Sequence, residues 1–138
     1  MKKACLPVTV ITIVAIVVCI GFVFVFLAFL IVPLKLNPVY RTGMDVVKND
    51  PAVTELFGSP IKDSFFVIGT TKGFLDGSEV VNLQTSISGP QAHGTVYIFG
   101  TRNEDGTCHI SSISIEIGRK EVLEYSDFEP EKGFQTVR

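Results

Sequence analysis

The chain has 138 residues, a formal net charge of −2 and a mean hydropathy of +0.40. That length holds one ordinary domain and excludes a second. The charge is unevenly spread: residues 36–138 carry 9 Lys plus Arg against 14 Asp plus Glu, a net of −5. Without a clustered positive field no nucleic-acid partner is expected.

The positive hydropathy comes from the beginning of the chain, where no charged residue lies between Ala4 and Leu34. From Val8 to Val32 every residue is apolar except Gly21, Thr9 and Thr12, whose hydroxyls can bond back to carbonyls one turn earlier. As a helix this stretch reaches roughly 37 Å, enough to cross a hydrocarbon core of about 30 Å with some tilt. A secretory signal has a shorter apolar region and a small-x-small cleavage site, whereas this run continues through Phe22, Phe24, Phe26 and Phe29. A lipoprotein signal needs a small residue where Val18 precedes Cys19. The expectation is an uncleaved anchor at residues 1–35 that meets the lipid bilayer through residues 8–32. It carries no ionisable group for a proton or ion path.

Lys2 and Lys3 precede the anchor and Lys35, Arg41 and Lys48 follow it, so the basic residues do not set its direction. Long C-terminal segments translocate largely regardless of charge, which places the soluble domain on the outer face of the membrane. The start lacks an Arg-rich amphipathic leader, which points to a bacterial inner-membrane protein, single-pass. Cys5 and Cys19 lie beside or within the anchor, leaving Cys108 alone in the domain, so no disulfide is expected inside it.

Pro33 and Pro38 bracket the exit from the membrane. Asn37 followed by Pro38, and Asp50 followed by Pro51, each combine a capping side chain with proline at the first helical position. The first helix presents Val39, Met44, Val46 and Val47 on one face; the second runs through Val53 and Leu56 to Gly58. Beyond Pro60 the period becomes two. Strands are expected at about 64–72, 78–88, 94–102, 107–117 and 121–125, with turns at Asp76-Gly77, Gly89-Pro90 and Asn103-Glu104-Asp105-Gly106. In the fourth strand Cys108 and Ile110 are even-numbered while Ile113, Ile115 and Ile117 are odd, a parity slip that predicts a β-bulge near Ser111 and Ser112. The fold class is therefore α+β: the anchor, then one or two short helices packed on a roughly five-stranded antiparallel sheet. The soluble domain is expected at residues 36–126, with a flexible tail at 127–138.

Candidates for chemistry are few. His93 falls in the loop between strands two and three and His109 on strand four, and neither has a flanking nucleophile or acid motif. Cys108 beside His109 resembles a metal pair, but adjacent strand residues face opposite ways. Gly89-Pro90-Gln91-Ala92-His93-Gly94 leads from strand to strand and not into a helix, so it is a hairpin connection and not a phosphate cradle. The expectation is no catalytic, metal or cofactor site and no enzyme activity.

One set of motifs is familiar. The anchor, the helix bearing Tyr40, Asn49-Asp50-Pro51-Ala52-Val53, Leu56-Phe57-Gly58-Ser59-Pro60-Ile61, Ser88-Gly89-Pro90 and Gly94-Thr95-Val96-Tyr97 together resemble the cytochrome c oxidase complex assembly protein 1 family. The resemblance runs from Tyr40 to about Tyr125. It implies kinship with an inner-membrane translocase subunit of similar α+β fold. It also implies the role of the mitochondrial members: non-enzymatic assembly factors for cytochrome oxidase, set in the inner membrane with the domain in the intermembrane space. This chain departs from them in lacking an import leader and in having Gln91, Ala92 and His93 where glycine and basic residues are usual. The expected function is a membrane-anchored interaction protein that assembles cytochrome oxidase or another respiratory complex by presenting its sheet to another membrane protein. The alternative is a tethered envelope ligand-binding or sensing module whose pocket is the groove between helix and sheet.

Overall fold

The computed structural model describes residues 8–126 and 133–136. Helix α1 runs from Val8 to Leu36 and is long and apolar enough to cross a membrane. The Thr12 hydroxyl donates to the Val8 carbonyl at 2.9 Å, so its polarity is absorbed within the helix. The helix passes through Pro33, one of the two prolines expected to bracket the exit from the membrane. Proline here removes a single backbone bond, that to the carbonyl of Phe29, and its φ is already helical. The break falls instead at Asn37, which is buried and whose carboxamide accepts from the Val39 N–H at 2.9 Å.

Helix α2 (Pro38–Asn49) and helix α3 (Pro51–Phe57) begin as the two Asx-Pro pairs predict. Asp50 closes one and opens the other: its N–H donates to the Val46 carbonyl while its carboxylate accepts from Ala52 N–H at 2.8 Å. Gly58, at φ 77°, terminates α3. Among the described residues six strands follow: β1 (Lys62–Gly73), β2 (Glu79–Ser88), β3 (His93–Arg102), β4 (Cys108–Ile117), β5 (Lys120–Ser126) and β6 (Gln135–Thr136). They form one antiparallel sheet in the order of the chain, β1 to β6.

The expected bulge is present. Phe99 pairs with Ser112 and Gly100 with Ile110, leaving Ser111 as the extra residue, so Ile110, Ile113 and Ile115 all reach the core. A second irregularity was not expected. Asp63 pairs with Ile87 and Val67 with Thr85, so Ser64, Phe65 and Phe66 of β1 stand opposite Ser86 alone. The sheet also has one strand more than expected. Phe134 is buried, its ring 5.6 Å from that of Tyr125, and Gln135 and Thr136 pair with Glu124 and Leu123. Residues 133–136 of the expected flexible tail are therefore seated on the domain, because Phe134 has an apolar site to fill; residues 127–132, 137 and 138 lie outside the described residues.

Both helices cover one face of the sheet. Val39, Tyr40, Met44 and Val47 of α2, with Val53 and Phe57 of α3, close over Val81, Leu83, Ile87, Val96, Ile98, Ile113, Ile115 and Leu123. Val46 lies only at the margin of this core. The approach is close: a Cβ on Gly43 would come within 2.8 Å of Ile98 Cγ2, so α2 is seated deeper than a larger residue permits. The other face is open and mostly polar, with Asn82, Gln84, Ser86, Thr95, Ser112 and Ser114 around Tyr97 and Phe99.

Candidate interaction surface

Three elements converge on one carboxylate. Asp63, at the start of β1, accepts from Lys48 Nζ at 2.7 Å, from the Tyr40 hydroxyl at 2.8 Å and from Lys35 Nζ at 3.3 Å. Lys35 lies in the last turn of α1, whereas Tyr40 and Lys48 belong to α2. Burial of the Asp63 carboxyl works toward a higher pKa, but the Lys48 ammonium, the Tyr40 hydroxyl and Lys35 outweigh it and hold the group well below the usual carboxylate range. Burial of Tyr40 and its hydrogen bond to this anion push the phenol above its ordinary value, against a smaller opposing effect of the Thr85 hydroxyl. The cluster is thus a fixed ion pair network at the junction of α1 and the sheet domain. A group held so firmly in one protonation state is suited to joining elements and not to moving protons.

Beside this junction, at the same end of the sheet, lies an open cleft of about 760 Å³. Ser86, Thr95, Tyr97 and Glu116 of the open face line it together with His93 and Arg119. The Tyr97 hydroxyl donates to Glu116 Oε2 at 3.2 Å; desolvation and this carboxylate both push its pKa up, so the phenol is a donor and a poor nucleophile. Arg119 enters through the tight Gly118-Arg119 turn between β4 and β5, where both residues have positive φ. The cleft lies on the face away from the helices and not in the helix–sheet groove that a sensing module was expected to use. A smaller hollow of about 460 Å³, lined by Ala52, Glu55, Leu56, Leu123 and Thr136, lies between α3 and the β5–β6 edge.

The residues singled out for chemistry are dispersed. His93 opens β3, while His109 pairs with Thr101 eight residues further along that strand, a separation of roughly 26 Å at strand rise. Cys108 turns the other way, toward α2, with its Sγ 3.4 Å from Thr42 Oγ1. Among the described residues no group of three or more His, Cys, Asp or Glu is placed to hold a metal ion. The Asp63 cluster was not foreseen. Its partners lie 28, 23 and 15 residues away, and separations of that kind follow no helix or strand period.

Comparison with known proteins gives one match. A family model described as Cytochrome oxidase complex assembly protein 1 covers residues 10–127, from the first turn of α1 to just past β5. No curated protein and no solved structure matches the chain. The matched span takes in the apolar helix, the two capped helices and the first five strands as one unit, and on that extent the chain belongs to the cytochrome oxidase complex assembly protein 1 family.

Proposed function

We infer that the chain is a single-pass, membrane-anchored interaction protein that serves as an assembly factor for cytochrome oxidase or another respiratory complex, without enzymatic activity of its own. The observation that carries this reading is the extent of the family match, which includes α1 as well as the sheet domain. Anchor and domain are then one functional unit, and the Asp63 cluster is the joint between them. Residues 1–35 form the tail and anchor and residues 36–126 the working domain, held on the outer face of a bacterial inner membrane. Confinement to a bilayer raises the local concentration of the domain around other membrane proteins, so weak contacts through the open sheet face suffice. The partner in this reading is another membrane protein, an oxidase subunit. The cleft beside Tyr97 and Glu116 supports a second reading, a tethered ligand-binding or sensing module, on its size alone.

The test is complementation of a deletion strain. The triple variant His93→Gln, Cys108→Ser, His109→Gln should restore oxidase assembly, because those groups share no site. A form in which a cleavable signal replaces residues 1–35 should fail at native expression. An inactive but folded and abundant triple variant, beside a fully active released domain, would replace the tethered-scaffold reading with an enzyme or metal-binding one. A reporter active only outside the cytoplasm, fused after Arg138, checks the topology, and activity of a cytoplasmic reporter instead reverses it.

A further inference from the structure

We propose that Phe65 and Phe66 form a second membrane contact, inserting into the interfacial layer of the bilayer beside the exit of α1. In a regular strand two adjacent side chains point to opposite faces, and one of these rings would enter the core. The β1 bulge removes that constraint: with three residues opposite Ser86, both rings turn outward and stay 61% and 60% exposed, packed edge to face at 5.5 Å. Their position relates them to the membrane. Lys35 Nζ lies 5.7 Å from the centre of the Phe65 ring and bridges to Asp63, so the bulge is level with the lysine that ends the apolar run. Ile31, one turn or about 6 Å closer to the bilayer centre than Lys35, is the buried residue of α1, and α1 packs against β1 and α2. The domain therefore reaches past the lysine, down the side of the apolar helix. Lysines at helix ends hold their ammonium at headgroup level while their stems lie in the apolar layer. Aromatic rings at or below that level meet acyl chains, which removes the cost of exposing two phenylalanines to water. A helix plus a paired-ring contact gives the domain a fixed tilt on the membrane, which a single flexible tether cannot do.

This inference rests on the reading of α1 as a membrane-spanning helix, and one experiment separates the two. The chain contains no Trp, so a single introduced Trp reports without background. Phe65→Trp, Phe66→Trp, Phe74→Trp and Phe24→Trp are made in the full chain and reconstituted in phosphatidylcholine–phosphatidylglycerol vesicles with lipids brominated at defined depths. Phe74, exposed in the turn at the far end of β1, serves as the aqueous reference, and Phe24 reports the middle of α1. The expected result is quenching of about twofold at position 65, 66 or both by bromines near the glycerol, at the roughly 5–10 Å depth of interfacial side chains, with Phe74→Trp quenched only by aqueous acrylamide. Failure of deep bromines to quench Phe24→Trp sinks the spanning helix. Quenching at position 24, with both 65 and 66 as water-accessible as 74, overturns the proposal and leaves the anchor standing. Equal lipid quenching at 65, 66 and 74 also overturns it, because it signals general adsorption and not a contact at the bulge.

Discussion

Removing the Asp63 charge should loosen both the domain and its attachment to α1. Lys35 and Lys48 are 28% and 38% exposed in their ion pairs, so each pair is discounted for screening to about 0.5 kcal/mol. The Tyr40 hydroxyl is different, since Tyr40 is only 5% exposed and its bond to a carboxylate is worth about 1.5 kcal/mol. Asp63→Asn keeps an acceptor for Tyr40 and loses the charge, for an expected cost of about 1–1.5 kcal/mol; Asp63→Ala also takes the carboxylate from the hydroxyl, for about 2.5–3 kcal/mol. With a urea slope of about 1–1.5 kcal/mol per molar for a domain of this size, the midpoints should fall by roughly 1 M and 2 M. The assay is urea unfolding of the full chain in detergent, followed by tyrosine near-ultraviolet circular dichroism. A second measurement addresses the joint: spin labels on the free Cys19 and Cys108, with Cys5 replaced by serine, report the distance between α1 and the sheet. The distribution should be narrow in the parent and broad in Asp63→Ala. Stabilities within about 0.3 kcal/mol of the parent and an equally narrow distribution in both variants would refute the role of Asp63 as the joint.

Three further outcomes follow from the same structure. Asp50→Ala should cost about 2 kcal/mol, above the usual cap value, because the carboxylate also accepts from the Phe134 N–H at 3.3 Å; faster amide exchange at Phe134 and Gln135 would show β6 released together with the α3 cap. Gly43→Ala should destabilise by about 1–3 kcal/mol, since the clash with Ile98 outweighs the roughly 1 kcal/mol gained in helix propensity, and a raised denaturant midpoint would show the helix free to back away. Tyr40 has a raised folded-state pKa, so its contribution is fully present below the unfolded value near 10 and is lost as pH rises beyond it. Stability between pH 9 and 11.5 should therefore fall more steeply in the parent than in Tyr40→Phe. For Asp63, whose folded pKa is lowered, the contribution is present above about pH 4 and is lost below it.

Much of the fold is visible in local residue order. The two Asx-Pro pairs mark both short helices to the residue, because capping depends on neighbours within one turn. The bulge at Ser111 could be read because isoleucines flank it with opposite parity. The β1 bulge could not: Phe65-Phe66-Val67-Ile68 is continuously apolar, and a run without alternation carries no parity to break. Strand β6 escaped for another reason. Two paired residues leave no periodic trace, and they are held by Phe134 through an aromatic contact and through a carboxylate 84 residues away. The Asp63 cluster is hidden in the same way, since lone charges at unrelated positions acquire partners only once the chain is folded.

The order of the sheet has a consequence for how the protein is made. Each strand pairs with the one synthesised before it, from β1 to β6, so no strand waits for a distant segment to complete its ladder. Such a topology has low contact order, and loop closure costs little at each step. Hairpins can therefore add to the sheet one at a time as the polypeptide emerges during synthesis. The contacts of Phe134 with Tyr125 and Asp50 tie the sheet back to the start of α3. A nascent chain not yet extended to Phe134 would then hold five paired strands with this latch undone.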